Sequence, residues 1–441
     1  MKEKNKKKKL PWWAVVLIVL LAVVVIFLGI SLGTIRYFVG DSLSFKGILA
    51  MVSYGGFDLP EGFRNFVLDV DRSYPGLPDI LTFENGTPVT NQDDFALRQQ
   101  ELLKLYETYM YGETPADGFE TEFTLEESSP ALNGTALRQQ VRICVSNDYG
   151  TSEAMLLVYT PVNVPSCGMF VGLNFSGNSA VWNDEAILPS VRQRDGVEPG
   201  SESGSWPVDQ IIDSGYGVAT MYYGDWAADS MDDYRNDLLR LFPNGNCTAY
   251  TAWAFGMMRA VDYIEQLPNV NQNAIATVGH SRLARVSLWA GANDQRIDLV
   301  TASCGGGLMR SPLLSKIDSG STSNHWFTAE YMSYEGRDEE LPVDIHFLYA
   351  LNADRNLYIS IGNQDLASDP EATYDAMQLA KKVWQEIYGM EVVPDGTYAD
   401  LTPGVPQFSE GVAIHVHDGG HAMTAEDWEN YILYMDTYVN K

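Results

Sequence analysis

The residues best placed to do chemistry are a serine, an aspartate and a histidine that lie far apart in the chain. Ser281 sits in Gly279-His280-Ser281-Arg282, between a short apolar run, Ala274–Val278, and a helical pattern continuing through Ala292. A serine on a sharp strand-to-helix turn presents its hydroxyl clear of the backbone. Gly279 suits the tight turn because it has no Cβ. The second glycine of a G-x-S-x-G pattern is absent, and Leu283 stands in its place. A serine hydroxyl is a weak nucleophile until a base takes its proton, and that base needs an acid to orient it. Both types follow downstream. Beyond the apolar run Asn356–Ile361 comes Gly362-Asn363-Gln364-Asp365, and beyond Val412–Val416 comes His417-Asp418-Gly419-Gly420-His421.

Each assignment has a competitor. Ser281 could be an ordinary turn serine, but the strand before it and the helix after it favour the nucleophile. Asp369 precedes Pro370 and fits a helix cap, whereas Asp365 directly follows a strand. His415 lies inside an apolar run and reads as a packed core residue. His421 follows two glycines, in a loop able to carry an imidazole over the serine, and is preferred to His417. His415, His417 and His421 can also be read as a metal cluster, but an H-x-H pair alone supplies too few ligands, so neither a metal nor a cofactor is expected. The oxyanion of an acyl-transfer step needs fixed donors. One is the backbone N–H of Arg282. The second is expected from the turn after Gly168–Phe175, around Ser176–Asn178, with Ser176 as its representative. The Arg282 guanidinium either joins them or forms a surface ion pair.

The elements that must position these residues alternate. Phe119–Thr160 reads as alternating strands, and Gly168–Phe175 and Tyr216–Tyr223 as fully apolar ones. Helical spacing runs through Asp93–Tyr111, through Thr248–Leu267 with Trp253, Met257, Ala260 and Ile264 on one stripe, and through Thr424–Val439. In the last helix Thr424 and Asp427 fit a capping box. Buried strands alternating with helices imply a mostly parallel sheet covered on both faces, with its site at the carboxyl ends of the strands. The order serine, acid, histidine is that of the α/β-hydrolases. The expected fold is therefore an α/β-hydrolase three-layer sandwich with a mostly parallel central sheet, preceded by one N-terminal transmembrane helix.

That helix is read from Pro11–Gly33, which carries no charge over 23 residues. At 1.5 Å per residue it spans a hydrocarbon layer of about 30 Å. The Lys-rich residues 1–10 mark a cytoplasmic tail, and Trp12 and Trp13 sit where interfacial aromatics belong. A cleavable signal peptide is the rival, but no A-x-A-like site follows. Either reading puts the rest of the chain outside the cytoplasm, the anchor as a single-pass protein of the cell membrane with its catalytic domain extracellular. Residues 34–74 form a juxtamembrane segment, either a stalk or a strap against the domain, and 75–441 form the catalytic domain. The 441 residues, 45% hydrophobic, are ample for one large core. The formal net charge is −29, and the Lys-rich start leaves the remainder still more acidic. Such a body excludes nucleic acid as a partner and attracts no polyanion. Cys144, Cys167, Cys247 and Cys304 are scattered without a C-x-x-C pair, which leaves disulfides open.

Gly279-His280-Ser281-Arg282-Leu283-Ala284-Arg285, followed by Leu288–Ala292 and Arg296-Ile297, resembles the G-C-S-R-x-G-K…A-G-A…R-I block of glucuronoyl esterases, carbohydrate esterase family 15. Tyr111–Pro115, Gly172–Asn178, Gly215–Thr220, Tyr222–Asp225, His325–Phe327 and Gly419–His421 agree, and the likeness is greatest to bacterial G-H-S-R-type members. The resemblance implies a serine esterase that cleaves the ester between 4-O-methyl-glucuronic acid on xylan and an alcohol, with the Arg282 side chain stabilising the oxyanion. It also marks three departures. The family lysine that contacts the uronate hydroxyls falls on Arg285. The glutamate that many members use as acid falls on Cys304. Some bacterial relatives carry the acid in a segment like E-D-L-W-A-D-P, which here reads Gln364–Pro370, so Asp365 inherits the role and the tryptophan becomes Ala367. The expectation is an esterase on a carbohydrate ester, with Ser281, Asp365 and His421 catalytic, Arg282 and Ser176 at the oxyanion, and Arg285 at the substrate. The alternatives are a deacetylase of xylan or another glycan, and, given Cys304 and Leu283, a retired surface glycan-binding or envelope scaffold.

Overall fold

The computed structural model describes residues 61–194, 196–314 and 316–441. The strands are β1 (Glu120–Ala131), β2 (Ala136–Asn147), β3 (Gly150–Pro161), β4 (Cys167–Asn174), β5 (Gly217–Tyr222), β6 (Val270–His280), β7 (Leu299–Ser303), β8 (Asn356–Gly362), β9 (Gln407–Phe408) and β10 (Val412–His417). They form one sheet in the order β1-β2-β3-β5-β4-β6-β7-β8-β10-β9. From β5 to β10 neighbouring strands run parallel. The meander β1-β2-β3 and the short β9 join them antiparallel at the two sides.

The central strands are apolar at nearly every position because both faces are covered. In β4, Met169, Val171 and Leu173 enter one core while Phe170 enters the other. The first core takes α2 (Gln92–Tyr109), α3 (Ala249–Ile264), α4 (Arg282–Asn293) and α5 (Pro370–Ala380), and the second takes α6 (Ala425–Tyr434). The stripe Trp253, Met257, Ala260 and Ile264 on α3 is fully buried. At roughly 1.5–3 kcal/mol per large apolar side chain, such stripes, more than helix propensity, hold the helices to the sheet. This is the α/β-hydrolase type of fold, with a largely parallel sheet. β7 had no separate signal in the sequence. It is five residues long, and its Thr301 and Ser303 break the apolar run although both are buried.

Upstream of the sheet, α1 (Glu61–Leu68) lies against the domain. Its Phe63 and Val67 pack with Leu313 and Leu366, and Arg72 just beyond it donates to both carboxylate oxygens of Asp369 at 3.0 Å. The described part of the juxtamembrane segment is thus a strap across the acid side of the sheet. The tail 1–10, the apolar stretch 11–33 and residues 34–60 lie outside the described residues. Among the described residues no helix is long and apolar enough to cross a membrane. All four cysteines are free thiols.

Candidate active site

β6 ends at His280 and α4 begins at Arg282, which leaves Ser281 on the turn at φ 58° and ψ −130°. A non-glycine residue held at such a positive φ costs on the order of 1–3 kcal/mol. The surroundings hold it there. The Ser281 amide donates to the Ser303 carbonyl of β7 at 2.9 Å. The returning backbone passes so close to Gly279 that a Cβ there would stand 2.0 Å from the Leu283 carbonyl oxygen. Gly279 is therefore the glycine the elbow needs. Leu283 turns its side chain fully into the core, so the missing second glycine is no obstacle.

The serine hydroxyl donates to His421 Nε2 at 2.7 Å, and His421 Nδ1–H donates to Asp365 Oδ2 at 2.7 Å. Asp365 is fully buried. The loops after β8 and β10 are stitched together to hold this relay. The Gln364 amide donates to the Gly419 carbonyl at 2.8 Å, and the Asn363 amide to the His417 carbonyl at 3.1 Å. Gly362 lies so close under this seam that a Cβ would stand 2.2 Å from the Gly420 carbonyl oxygen. Asp369 is occupied elsewhere. It caps α5, accepts the Ser311 hydroxyl and pairs with Arg72. Beside His421 lies the ring of His280, with centroids 4.7 Å apart. Burial, with the nearby His421 adding to it, pushes His280 down to about 3, so it is neutral. Cys304 closes the end of β7 in the left-handed region, at φ 50°. Its thiol is buried and pushed well above its usual value, first by burial and then by the Asp365 carboxylate.

His415 and His417 turn away from the serine. His415 Nε2–H and His417 Nδ1–H both donate to Asp427 Oδ1, at 2.7 and 3.0 Å. Asp427 Oδ2 accepts the amide and hydroxyl of Thr424, so the carboxylate that completes the capping box also binds two histidines.

Arg282 projects into an aromatic slot, 5.6 Å from the Phe175 centroid and 5.0 Å from that of Trp326. Asp229 clamps it there. That carboxylate pairs with Arg282 and accepts from His325 Nε2–H at 2.8 Å and Trp326 Nε1–H at 2.7 Å. Burial alone would raise Asp229, but these donors hold it below the usual carboxylate range. Asp229, four residues past the Tyr222–Asp225 block, had no sequence signal of its own.

Ser176 does not take the place expected of it. Burial pushes Glu202 up, and the neighbouring Ser176 hydroxyl and Phe175 amide oppose the rise. The Phe175 amide donates to Glu202 at 3.2 Å, and the Gly177 amide to the Asn174 side chain at 2.8 Å. The half-buried Glu202, 26 residues beyond Ser176, takes the Phe175 amide, while the Asn174 and Ser190 side chains take those of Gly177 and Asn178.

The serine opens on a cleft of about 350 Å³, lined among others by Arg282, Arg285, Cys304, Trp326, Ala367 and His421. Arg285 lies in its wall, where Nε–H donates to the Gly305 carbonyl at 2.8 Å. Among the described residues no carboxylate comes within ion-pair distance of Arg285.

Comparison with known proteins places this geometry. A carbohydrate esterase, MZ0003, from an unknown prokaryotic organism is 32% identical over 413 residues, covering 86% of this chain and 93% of that protein. The chain belongs to carbohydrate esterase family 15. A family model described as fungal glucuronyl esterase matches residues 200–388. A promiscuous family 15 esterase from a marine bacterial metagenome superposes with a TM-score of 0.74 at 31% identity, covering 82% of this chain and 96% of that one. The glucuronoyl esterase of Solibacter usitatus gives 0.73 at 28% identity, covering 82% and 97%. The chain is thus a glucuronoyl esterase-like carboxylic ester hydrolase, and its substrate class is a carbohydrate ester. The three positions at which the resemblance marks a departure, Arg285, Cys304 and Ala367, all line this cleft.

Proposed function

We propose that this family 15 protein is a membrane-anchored, outward-facing serine esterase that hydrolyses (4-O-methyl)glucuronoyl esters on plant cell-wall type glycans. Ser281 attacks the ester carbonyl while His421 takes its proton, and Asp365 holds His421 in the tautomer that can accept it. The developing oxyanion is met by the Arg282 amide at the start of α4 and by the Arg282 guanidinium, which Asp229 pre-orients. The imidazolium then protonates the leaving alcohol. Water, activated by the same histidine, frees the uronic acid. Arg285 donates to the sugar from the cleft wall. The observation that carries the reading is the unbroken pair of 2.7 Å contacts from Ser281 through His421 to Asp365. The anchor rests on the uncharged stretch 11–33 behind a Lys-rich start.

The test is hydrolysis of an alkyl or benzyl glucuronate ester beside an acetyl ester, with wild type and Ser281→Ala. The wild type is expected to prefer the glucuronate, and Ser281→Ala to lose on the order of 10⁴-fold or more in kcat. Equal, negligible turnover of every ester by both proteins would sink the reading and favour a retired scaffold, which would also fail to take a fluorophosphonate label at Ser281. A deacetylase is the second reading. It is favoured by Ala367, which lines the cleft where the resemblance places a tryptophan able to stack on a sugar. Preferential turnover of acetylated xylan would select it.

A further inference from the structure

Cys304 Sγ, a carboxylate oxygen of Asp365 and a ring nitrogen of His421 all lie within 4.8 Å of one another. Thiolate, carboxylate and imidazole are a ligand set for zinc and other soft divalent cations. Two further observations mark this trio. Asp365 Oδ1 is buried with no hydrogen-bond partner, so the carboxylate keeps an unused ligand atom. Cys304 and His421 both line the cleft, so a hydrated ion can reach them from solvent. The second cluster of ligand-type residues, His415, His417 and Asp427, differs on both counts. All three are buried, and their remaining ring nitrogens are taken up by the Tyr358 hydroxyl at 2.9 Å and the Gly420 carbonyl at 3.2 Å.

We propose that Cys304, Asp365 and His421 form a binding site for a soft divalent cation such as Zn²⁺ or Cd²⁺, and that its occupancy reversibly switches off the esterase. The bond changes balance. Cys304 loses its S–H proton to solvent, and Asp365 is already anionic. The proton on His421 Nδ1, the nitrogen beside the carboxylate, passes to Nε2 as the metal takes its place. A dication with one thiolate and one carboxylate is neutral, which suits a poorly hydrated site. The fourth coordination position stays open to water from the cleft. Inhibition follows from the tautomer. With its proton on Nε2, His421 donates toward Ser281 and can no longer accept the serine proton. This switch rests on the serine-esterase reading for its effect on rate, but metal binding itself does not.

The experiment uses the full chain in detergent, with Zn²⁺ and Cd²⁺ as probes and Mg²⁺ as the hard-ion control. Wild type is expected to bind one equivalent, to lose ester hydrolysis in parallel, and to recover with EDTA, while Mg²⁺ has no effect. Binding is followed independently by the ultraviolet thiolate-to-Cd²⁺ charge-transfer band. Cys304→Ser keeps the size of the side chain and Cys304→Ala removes its ligand atom. Both are expected to lose that band and to require at least about tenfold more metal for the same inhibition. Ser281→Ala is expected to keep the band in full, which separates binding from catalysis. The proposal is overturned if both Cys304 variants are inhibited at the wild-type concentration, or if wild type shows no band with one equivalent of Cd²⁺. If no ester is hydrolysed by any form, the function reading fails while the band still decides the site.

Discussion

Asp365 and Asp427 are both fully buried, and both accept from histidines supplied by β10 or the loop after it. They differ in how much of the carboxylate is used. Asp427 accepts four bonds, from His415, His417, and the amide and hydroxyl of Thr424. Asp365 Oδ2 accepts from His421, and Oδ1 has no partner. A saturated carboxylate resists any change of protonation around it, because each lost bond would leave a buried group unsatisfied. One that holds a single imidazole, itself bonded to a hydroxyl, has the arrangement that the proposed mechanism needs, in which the imidazole takes the serine proton and the carboxylate orients it. On that proposal the same residue pair makes a scaffold in one place and a relay in the other.

The charges follow the same division. Burial alone would raise Asp427, but the bonds from His415 and His417 hold it well below the usual carboxylate range. Burial alone would lower His417, yet the Asp427 carboxylate and the Gly420 carbonyl raise it. Both of its ring nitrogens face acceptors, which only the doubly protonated ring can satisfy.

The sharpest way to break the comparison is to make the same change in both acids. Asp365→Asn is expected to lower kcat by about 10⁴-fold, since it stabilises the wrong tautomer of His421, while the melting temperature changes little. Steady-state kinetics beside thermal unfolding read this out. Asp427→Asn should do the reverse. Removing one partner of a buried charged cluster costs about 3–5 kcal/mol, visible as a shifted denaturation midpoint, and the surviving folded fraction should keep most of its turnover. Equal losses of rate in the two variants would erase the distinction.

A smaller effect is expected with pH. The folded pKa of His417 lies above its unfolded value of about 6.5. Its contribution is therefore fully present below that pH and fades as pH rises through the folded value. Asp427 behaves oppositely, with a contribution present above about pH 4 and lost as pH falls through its depressed folded value. The gap in melting temperature between wild type and His417→Gln should accordingly be widest near pH 5–6.5 and close toward alkaline pH. A gap independent of pH would show that His417 acts by packing alone.

The relay was more legible in the sequence than the scaffold. Ser281, Asp365 and His421 each lie within five residues of the end of an apolar run, and strand ends are where an open parallel sheet places side chains together. Asp427 was readable only as the third residue of a helix, because its bonds to His415 and His417 come from packing across the end of the sheet. The choice between Asp365 and Asp369 was open to local pattern alone. It turns on Arg72, separated from Asp369 by 297 positions. Ser176 misled for a similar reason. The turn after β4 is where the pattern puts it, but its amides are engaged by Glu202, Asn174 and Ser190, and no periodicity connects Glu202 or Ser190 to it.

The strap that carries Arg72 also says something about the order of assembly. Arg72 reaches Asp369 across 297 positions, and Tyr74 donates to Asp375 at 2.6 Å across 301. Contacts this distant carry a large loop-closure entropy and cannot form before the intervening sheet has brought their partners near. A chain growing from its N-terminus makes α1 among its earliest helices and docks it among its last. Until then Phe63 and Val67 lack their cover from Leu313 and Leu366, and the charge on Asp369 lacks its guanidinium. The acid side of the cleft is thus expected to be the late-folding side, with the strap as the piece that covers it.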